Sequence, residues 1–463
     1  MLSSLQNIFS IPDLRRRVLF TALMLAVYRV GGQIPTPGVD AAALERFFSE
    51  QAGSFLGFLD LFSGGNLSRL TIFALGIMPY ISASIILQLL TVIWPYLEKL
   101  KEEGEIGRRK ITQYTRYGTV ALSIVQSWGI ALWIQGLQGP AGIHMVISPG
   151  LGFQLMTVLT LTTGTAFIMW LGEQISERGI GNGISLIIFA GIVAGLPGAI
   201  FHTVEDIRNG SLNLIIVLLL VTFMVATVAA IVLIERAQRK IPVQYAKRVV
   251  GRRMYGGRSV HLPLKLNTGG VIPVIFASSM LAIPQTVAQF GFLGQSAWMQ
   301  AVARQLDYNM PLYNLMYFTL IIFFCYFYTS IIFNPVEVAD NMKKFGGFIP
   351  GIRPGRNTAE FLDDVLTRLT FGGALYLALI ALLPMFLISG FNVGALPGVG
   401  TSLDRLLPQW FTQGLGVKFY FGGTSLLIVV GVAMDTVQQI ESQLLMRHYD
   451  GFLKGSRVLG RKA

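Results

Sequence analysis

The chain contains few residues that could carry out covalent or metal chemistry. No P-loop, H-E-x-x-H or G-x-S-x-G motif occurs in its 463 residues. The four histidines are scattered without metal-ligand spacing, and the single cysteine, Cys325, lies inside an apolar run. The GIGNG run at Gly179–Gly183 does not match the dinucleotide fingerprint and is better explained as a tight, flexible cytoplasmic turn. We therefore expect neither an enzyme nor a site for a metal or cofactor.

The composition places the chain in a membrane. Hydrophobic residues make up 53% of it and charged residues only 13%, whereas a soluble domain carries about 25% charged residues. The mean hydropathy is +0.60. A formal net charge of +12 would suit nucleic acid or an acidic partner, but cytoplasmic loops of membrane proteins also collect Lys and Arg for topological reasons.

Ten apolar stretches are long enough to cross about 30 Å of hydrocarbon. The first follows Arg15-Arg16-Arg17 like a signal peptide, but it has no small-residue cleavage pattern, so we expect a retained span. The ten predicted spans are 18–34, 71–94, 117–137, 153–171, 184–200, 212–234, 271–292, 311–333, 369–389 and 419–440.

The basic residues predict the orientation of these spans. With both termini inside, only six of the 36 Lys and Arg residues fall in external pieces, so the positive-inside rule favours cytoplasmic termini. These six are Arg46, Arg69, Arg208, Arg304, Arg405 and Lys418. Ten spans divide into halves of five, 1–200 and 201–463, and an odd number per half predicts inverted halves, an architecture of cargo-moving proteins.

The predicted spans are almost bare of ionisable residues. Arg29 lies near the outer end of the first span and Asp435 near the inner end of the last. Ion-coupled transporters place such residues at the membrane midplane. A small-molecule secondary transporter is therefore kept only as the alternative function, and a scaffold that merely recruits partners as a third.

A polar segment at 61–70 precedes the apolar run that begins at Thr71. It contains two glycines, Asn66 and Arg69 among hydrophobic residues at helical spacing. Such backbone is tolerated at membrane depth only where protein or a water-filled cavity covers it. The local sequence leaves open whether the segment is a re-entrant element or an external amphipathic helix.

Seven sequence blocks resemble the SecY family, the channel subunits of bacterial Sec protein translocases, and they occur in family order along essentially the whole chain. They are Ala74–Leu90, Gly107–Thr119, Glu177–Ser185, Tyr245–Arg248, His261–Ser279, Phe348–Gly355 and Phe419–Asp435. The resemblance implies an all-α polytopic membrane protein, with ten transmembrane helices in two inverted five-helix halves around a central hourglass pore. It implies a channel that translocates unfolded secretory preproteins and releases transmembrane segments laterally into lipid.

By the same resemblance, the polar segment becomes a plug, a short helix that closes the channel from outside. Its residues would be Phe62, Ser63, Gly64, Gly65, Asn66, Leu67, Ser68, Arg69 and Leu70. The lateral gate would lie between the second and third spans on one side and the seventh and eighth on the other. Pro273 and Pro284 would weaken the hydrogen-bond ladder of the seventh span.

The resemblance also implies a constriction ring of aliphatic side chains. Matched motif by motif, its members are Ile81, Ile85, Ile184, Ile188, Ile275 and Ile428, with Leu427 as an alternative to Ile428. Residues four apart share one helix face, and a narrow apolar ring excludes ions. For any single isoleucine, helix packing or lipid contact is the competing explanation.

Two cytoplasmic loops, 235–270 and 335–368, are predicted docking surfaces. The first carries nine basic residues against one acidic residue, more than topology requires, and would suit either RNA phosphates or an acidic protein. The resemblance assigns it to the ribosome and to the motor ATPase SecA, and assigns a partner contact to Arg353. The predicted docking residues are Arg239, Lys240, Lys247, Arg248, Arg252, Arg253 and Arg353.

The remaining implied partners are the small membrane subunits SecE and SecG, the unfolded preprotein with its signal sequence, and membrane lipid. The implied location is the bacterial cytoplasmic (inner) membrane, with both termini in the cytoplasm.

Overall fold

The computed structural model describes residues 11–50, 55–137, 145–210, 214–245, 248–250, 253–255, 259–290, 305–307, 310–390, 412 and 423–455. Within these ranges the chain is mainly helical. The helices are α1 Pro12–Gly31, α2 Ala41–Glu50, α3 Phe55–Ser63, α4 Met78–Ile93, α5 Pro95–Glu102, α6 Glu105–Gly136, α7 Leu151–Arg178, α8 Gly183–Arg208, α9 Leu214–Arg236, α10 Ile272–Phe290, α11 Pro311–Ile332, α12 Pro335–Lys344, α13 Arg356–Ser389 and α14 Gly423–Gly455. The strands are β1 Gln238–Tyr245, β2 Arg248–Val250, β3 Arg253–Tyr255, β4 Ser259–Lys265 and β5 Gly347–Phe348.

Each of the ten predicted spans overlaps one of these helices, which are α1, α4, α6, α7, α8, α9, α10, α11, α13 and α14. Six helices are long and apolar enough to cross a membrane alone, or seven if α4 and α5 count as one span. Of the ten described helices that overlap a predicted span, α1, α10 and α14 do not meet that criterion. The chain is therefore a multi-pass membrane protein. A helix is present at each of the ten predicted spans, but only six or seven spans are long and apolar enough to be recognised by length and composition.

The second span differs from its prediction of 71–94. Its helix begins only at Met78, and residues 71–77 form turns. Gly76 has a positive φ of 56°, and Pro79 occupies the first turn, where the missing N–H needs no helical partner. Most side chains in these turns are buried, which is how irregular backbone is tolerated at membrane depth.

The helix of the second span ends in a sharp bend. α4 and α5 meet at 96°, and Trp94 between them is extended, with φ −100° and ψ 113°. Pro95 disfavours the helical conformation of the residue before it, so the helix must stop there. The chain then turns into the short helix α5.

The chain groups into two compact units. The first comprises Met1–Asn209, Ser279–Tyr308 and Val432–Ala463, and the second comprises Gly210–Ser278 and Asn309–Gly431. In the first unit, α6 packs against α7 and α4. The buried Thr119 and Ser127 hydroxyls donate to the carbonyls of Thr115 and Ser123, so these polar side chains are satisfied inside their own helix. The division into inverted halves at residue 200 stays a prediction.

The second unit contains a small sheet that an all-helical prediction did not include. β1 pairs with β4 from Gln238↔Lys265 to Gln244↔Ser259, and β5 pairs with the end of β1 through Tyr245↔Gly347. Burial alternates along β1, as expected for a strand with one covered face. The buried core beneath the sheet consists of Ile241, Val243, Leu264, Met342, Ile349, Leu362 and Val365.

Candidate functional site

The predicted ring residues of the first unit lie on two helices. Ile81 and Ile85 are buried one turn apart on α4, and Ile188 is buried on α8. Ile184 is only partly buried. A Cβ built on Gly172 of α7 would lie 3.2 Å from the Ile184 Cγ1, so Ile184 also packs between helices. Its place in a pore ring stays a prediction.

In the second unit, Ile275 is buried on α10 and Ile428 is fully buried on α14. Leu427, the alternative to Ile428, is buried as well. Burial therefore does not decide whether Ile428 or Leu427 belongs to the predicted ring.

The turn before α8 is tight, as predicted, and it is also tied to two other helices. The Ile180 N–H donates to the Thr21 Oγ1 of α1 at 3.1 Å, and the Gly181 N–H donates to the Gln439 Oε1 of α14 at 3.0 Å. Gly181 has a φ of +89°, which glycine adopts without strain. Asn182 caps α8, because its Oδ1 accepts the N–H of Ile184 at 3.1 Å. The sequence showed the turn but not its partners.

The predicted plug segment, Phe62–Leu70, is mostly not helical. The helix of this region, α3, ends at Ser63, and Gly64 and Gly65 leave it with φ of +75° and +78°. The expected helix over Phe62–Leu70 is thus wrong in its bounds, because two positive φ values end a right-handed helix. Leu70 has a φ of +41°, and among the described residues it is the only one besides the glycines with a positive φ.

In this segment, hydrogen bonds to side chains replace the hydrogen bonds of a helix. The Ser63 Oγ accepts the N–H groups of Asn66 at 3.2 Å and Leu67 at 3.1 Å. The Asp60 Oδ1 accepts the Ser68 N–H at 2.8 Å. Burial raises the pKa of the Asp60 carboxyl, and these hydrogen bonds oppose that rise.

The segment is also bonded to α1. The Tyr28 Oη donates to the Ser63 carbonyl at 3.1 Å, and the Arg29 Nη1 donates to the Gly64 carbonyl at 3.3 Å. Asn66 donates through its Nδ2 to the Tyr28 Oη at 3.3 Å and to the Ser63 carbonyl. Arg29, which lies near the end of the first predicted span, therefore has a partner in the polar segment.

The end of the segment at Arg69 meets the short helix α2. Arg69 forms an ion pair with Glu45 at 2.9 Å and donates to the Gln33 Oε1 at 3.2 Å. Both charged side chains of this pair are exposed, so screening by solvent makes its contribution small.

A cavity of about 50 Å³ lies beside the segment, large enough to hold water. Its polar lining comes from Ser63, Ser82, Gln126, Ser279 and Thr286. Its apolar lining comes from Leu59, Leu67, Ala74, Leu75, Met78, Ile130, Ala282 and Ile283.

The predicted docking residues lie on the sheet and its connections. Arg239 and Lys240 are exposed on β1, and Arg353 is exposed in the turn before α13. The Thr358 Oγ1 donates to the Arg353 carbonyl at 2.9 Å, which fixes the turn that carries this guanidinium. The backbones of Arg248 and Arg253 belong to β2 and β3, whereas Lys247 and Arg252 lie outside the described residues.

Pairing of β5 with β1 brings the two predicted docking loops together, which the sequence did not indicate. β5 has only two residues, Gly347 and Phe348, too few for an alternating pattern to be recognised.

The family model described as SecY matches residues 71–437 of this chain. The chain is similar to the protein translocase subunit SecY of Escherichia coli (strain K12), with 51% identity over 449 residues, 97% of this chain and 96% of that protein. The protein translocase subunit SecY of Aquifex aeolicus (strain VF5) is 46% identical over 451 residues, 97% of this chain and 99% of that protein.

Solved structures give the same fold at low identity. One described as "The structure of a protein conducting channel" has a TM-score of 0.63 at 18% identity, covering 92% of each chain. Sec61 in the canine ribosome-channel complex from the endoplasmic reticulum has a TM-score of 0.59 at 17% identity, also covering 92% of each chain.

Proposed function

This chain belongs to the SecY family, and we propose that it forms a protein-conducting channel for unfolded secretory preproteins, which also releases transmembrane segments laterally into lipid. The observation that carries the proposal is the 51% identity to a protein translocase subunit along 97% of the chain. A small-molecule transporter finds no such support, and its expected midplane charges are nearly absent from the predicted spans.

The ring residues would supply the seal around a moving polypeptide. Branched apolar side chains give a narrow passage that ions cross only at high cost, and they offer a sliding chain no hydrogen bonds. We assign this role to Ile81, Ile85, Ile188, Ile275 and Ile428, with Ile184 contributing both to the ring and to packing on α7. Phe62–Leu70 would close the passage from outside at rest.

The lateral exit would open beside the seventh span, α10. Pro284 lies inside this helix and removes one hydrogen bond of its ladder, which suits a helix that must shift. Pro273, predicted to act in the same way, occupies instead the first turn, where its missing N–H costs nothing. Pro284 alone supports the mobile helix.

The exposed basic residues on the sheet would dock the partners that deliver or drive the preprotein. Phosphate-rich RNA and acidic protein both complement such a surface, so the ribosome and the motor ATPase SecA are the proposed partners. A ribosome complex is described for the similar channel Sec61. SecE and SecG are the proposed membrane subunits, and the bacterial inner membrane with cytoplasmic termini is the proposed setting.

Crosslinking a stalled secretory chain to single cysteines tests the channel. In a Cys325→Ser background, cysteines at Ile85, Ile188 and Ile275 should crosslink to the stalled chain, whereas a cysteine at Leu155, an exposed position on α7, should not. Equal labelling at all four positions, or none at the first three, contradicts the proposed path.

Ion conductance of the purified translocase in planar bilayers gives a second test. Deleting residues 62–70, or changing Ile85 and Ile188 to Gly, should raise the resting ion current because the seal loses its plug or its ring. An unchanged current in both variants would count against the pore assignment.

A further inference from the structure

Asn66 is a polar side chain in a setting where apolar residues would be expected. It is 2% exposed, yet both functional groups of its amide have partners. Its Nδ2 donates to the Tyr28 Oη at 3.3 Å and to the Ser63 carbonyl, and its Oδ1 accepts the Thr71 hydroxyl at 3.2 Å. A buried amide with all these bonds favours one buried arrangement of the chain, because any other arrangement that keeps it buried leaves it unsatisfied.

Tyr28 of α1 holds the other side of this cluster. It is also 2% exposed, and its ring stacks on Phe73 with centroids 5.8 Å apart. Its hydroxyl accepts from Asn66 and donates to the Ser63 carbonyl at 3.1 Å. One hydroxyl therefore joins α1 both to the end of α3 and to the polar segment.

The carbonyls involved are those that the end of α3 leaves without helical partners. The last carbonyls of any helix need outside donors. Here the Ser63 carbonyl accepts from Tyr28 and Asn66, and the Gly64 carbonyl accepts from Arg29 at 3.3 Å. The bond from Asn66 lies within the segment, whereas the bonds from Tyr28 and Arg29 exist only while the segment stays against α1.

Such bonds suit a reversible attachment. If the segment moves into water, each of these groups exchanges its protein partner for a water molecule, so the net change per bond is small. An attachment made only by apolar packing would have no such replacement.

We propose that Asn66 and Tyr28 form a latch that sets how readily the segment Phe62–Leu70 leaves its seat against α1. The inference rests on the proposed function, because the segment is taken as the plug of a channel. Asn66 and Tyr28 are positioning residues, since they act through the place of the segment and not by contact with a transported chain.

The resting ion current of the reconstituted translocase tests the latch. Tyr28→Phe keeps the ring on Phe73 but removes the hydroxyl, and Asn66→Ala removes the amide. Each should raise the resting current several-fold, up to about tenfold, the change that about 1.4 kcal/mol produces. The double variant should exceed the stronger single variant only slightly, because the two residues share one bond. Tyr326→Phe, which removes a bond from Tyr326 Oη to the Thr367 carbonyl in the second unit, should leave the current unchanged.

Two further variants separate the possible failures. Asn66→Leu keeps the side-chain volume without the amide, and a current as low as that of the unaltered chain would overturn the latch in favour of packing. Unchanged currents in Tyr28→Phe and Asn66→Ala, with a raised current after deletion of 62–70, would overturn the latch and leave the channel standing. An unchanged current after the deletion as well would count against the plug, and so against the proposed channel itself.

Discussion

Gly64 and Gly191 meet backbone to backbone. A Cβ on Gly64 would lie 2.7 Å from the Gly191 Cα, and a Cβ on Gly191 would lie 3.2 Å from the Gly64 Cα. The polar segment therefore rests directly on α8, the helix of the fifth span, because neither residue has a side chain.

Gly64→Ala should destabilise this contact more than Gly65→Ala. Both glycines have positive φ, so each alanine costs about 1–2 kcal/mol in backbone strain. Only Gly64 adds the steric overlap, about a further 1–3 kcal/mol, since a Cβ on Gly65 would meet nothing within 4 Å. Thermal unfolding of the purified complex measures the difference, and equal losses for the two variants would contradict a close contact.

Asn182→Ala should lower the stability of α8 through loss of its cap. An Asn cap replaced by Ala costs about 0.5–2 kcal/mol, and Asn182→Asp should recover most of it because a carboxylate also accepts the N–H of Ile184. The apparent Tm of the two variants decides this. If Asp is as damaging as Ala, the amide has a different role.

The position of α8 was only partly predictable. The span itself followed from hydrophobicity, because residues 184–200 are almost entirely apolar and leave few alternatives. The attachment of its preceding turn to Thr21 and Gln439 depends on residues 159 and 258 positions away. No local pattern contains that information.

Asp60→Asn should reduce the pH dependence of stability. Because burial raises the pKa of Asp60, the folded chain binds this proton more tightly than the unfolded chain does. The stabilising contribution is therefore fully present below the unfolded pKa of about 3.9 and is lost as pH rises through the folded-state pKa. Asparagine keeps an acceptor for the Ser68 N–H without a charge. Unfolding followed from acidic to neutral pH should show a flatter profile for the variant, and identical profiles would exclude Asp60 as the source.

Leu264→Ala should loosen the sheet formed by β1, β4 and β5, whereas Val260→Ala on the same strand should not. Leu264 is 3% exposed in the core under the sheet, and truncating such a side chain costs about 2–5 kcal/mol. Val260 is 51% exposed, and its truncation should fall within about 0.5 kcal/mol. Limited proteolysis of the loops 235–270 and 335–368 compares the two, and equal cleavage would mean that the sheet does not depend on this core.

Arg353→Glu should abolish motor-driven export while the protein still inserts into the membrane. The guanidinium is exposed, and the bond from Thr358 to the carbonyl of residue 353 does not depend on the side chain, so the turn should persist. Arg356→Glu is the control for a charge reversal in the same region. It should leave export normal, because the Arg356 guanidinium is paired with Glu360 at 3.0 Å. Export into inverted vesicles measures both. Normal export by Arg353→Glu would remove this residue from the docking surface.

The polar segment marks the limit of prediction from sequence. Its unusual composition before an apolar run identified it, and the family resemblance favoured a re-entrant element. Its conformation was not predictable, because hydrogen bonds from Tyr28 and Arg29, more than 30 positions away, replace those of a helix. The burial of Asn66 is likewise a tertiary property that its local sequence does not predict.

The pairing of β5 with β1 joins the loops 235–270 and 335–368 in one sheet. Only Ala237 stands between the end of α9 and the start of β1, so the sheet is joined to the sixth span without a flexible tether. The segment that carries Arg353 is therefore linked to the base of α9 through the β5 ladder and β1. A partner bound to the loop 335–368 is thus coupled through this sheet to α9, the helix that leads into the loop 235–270.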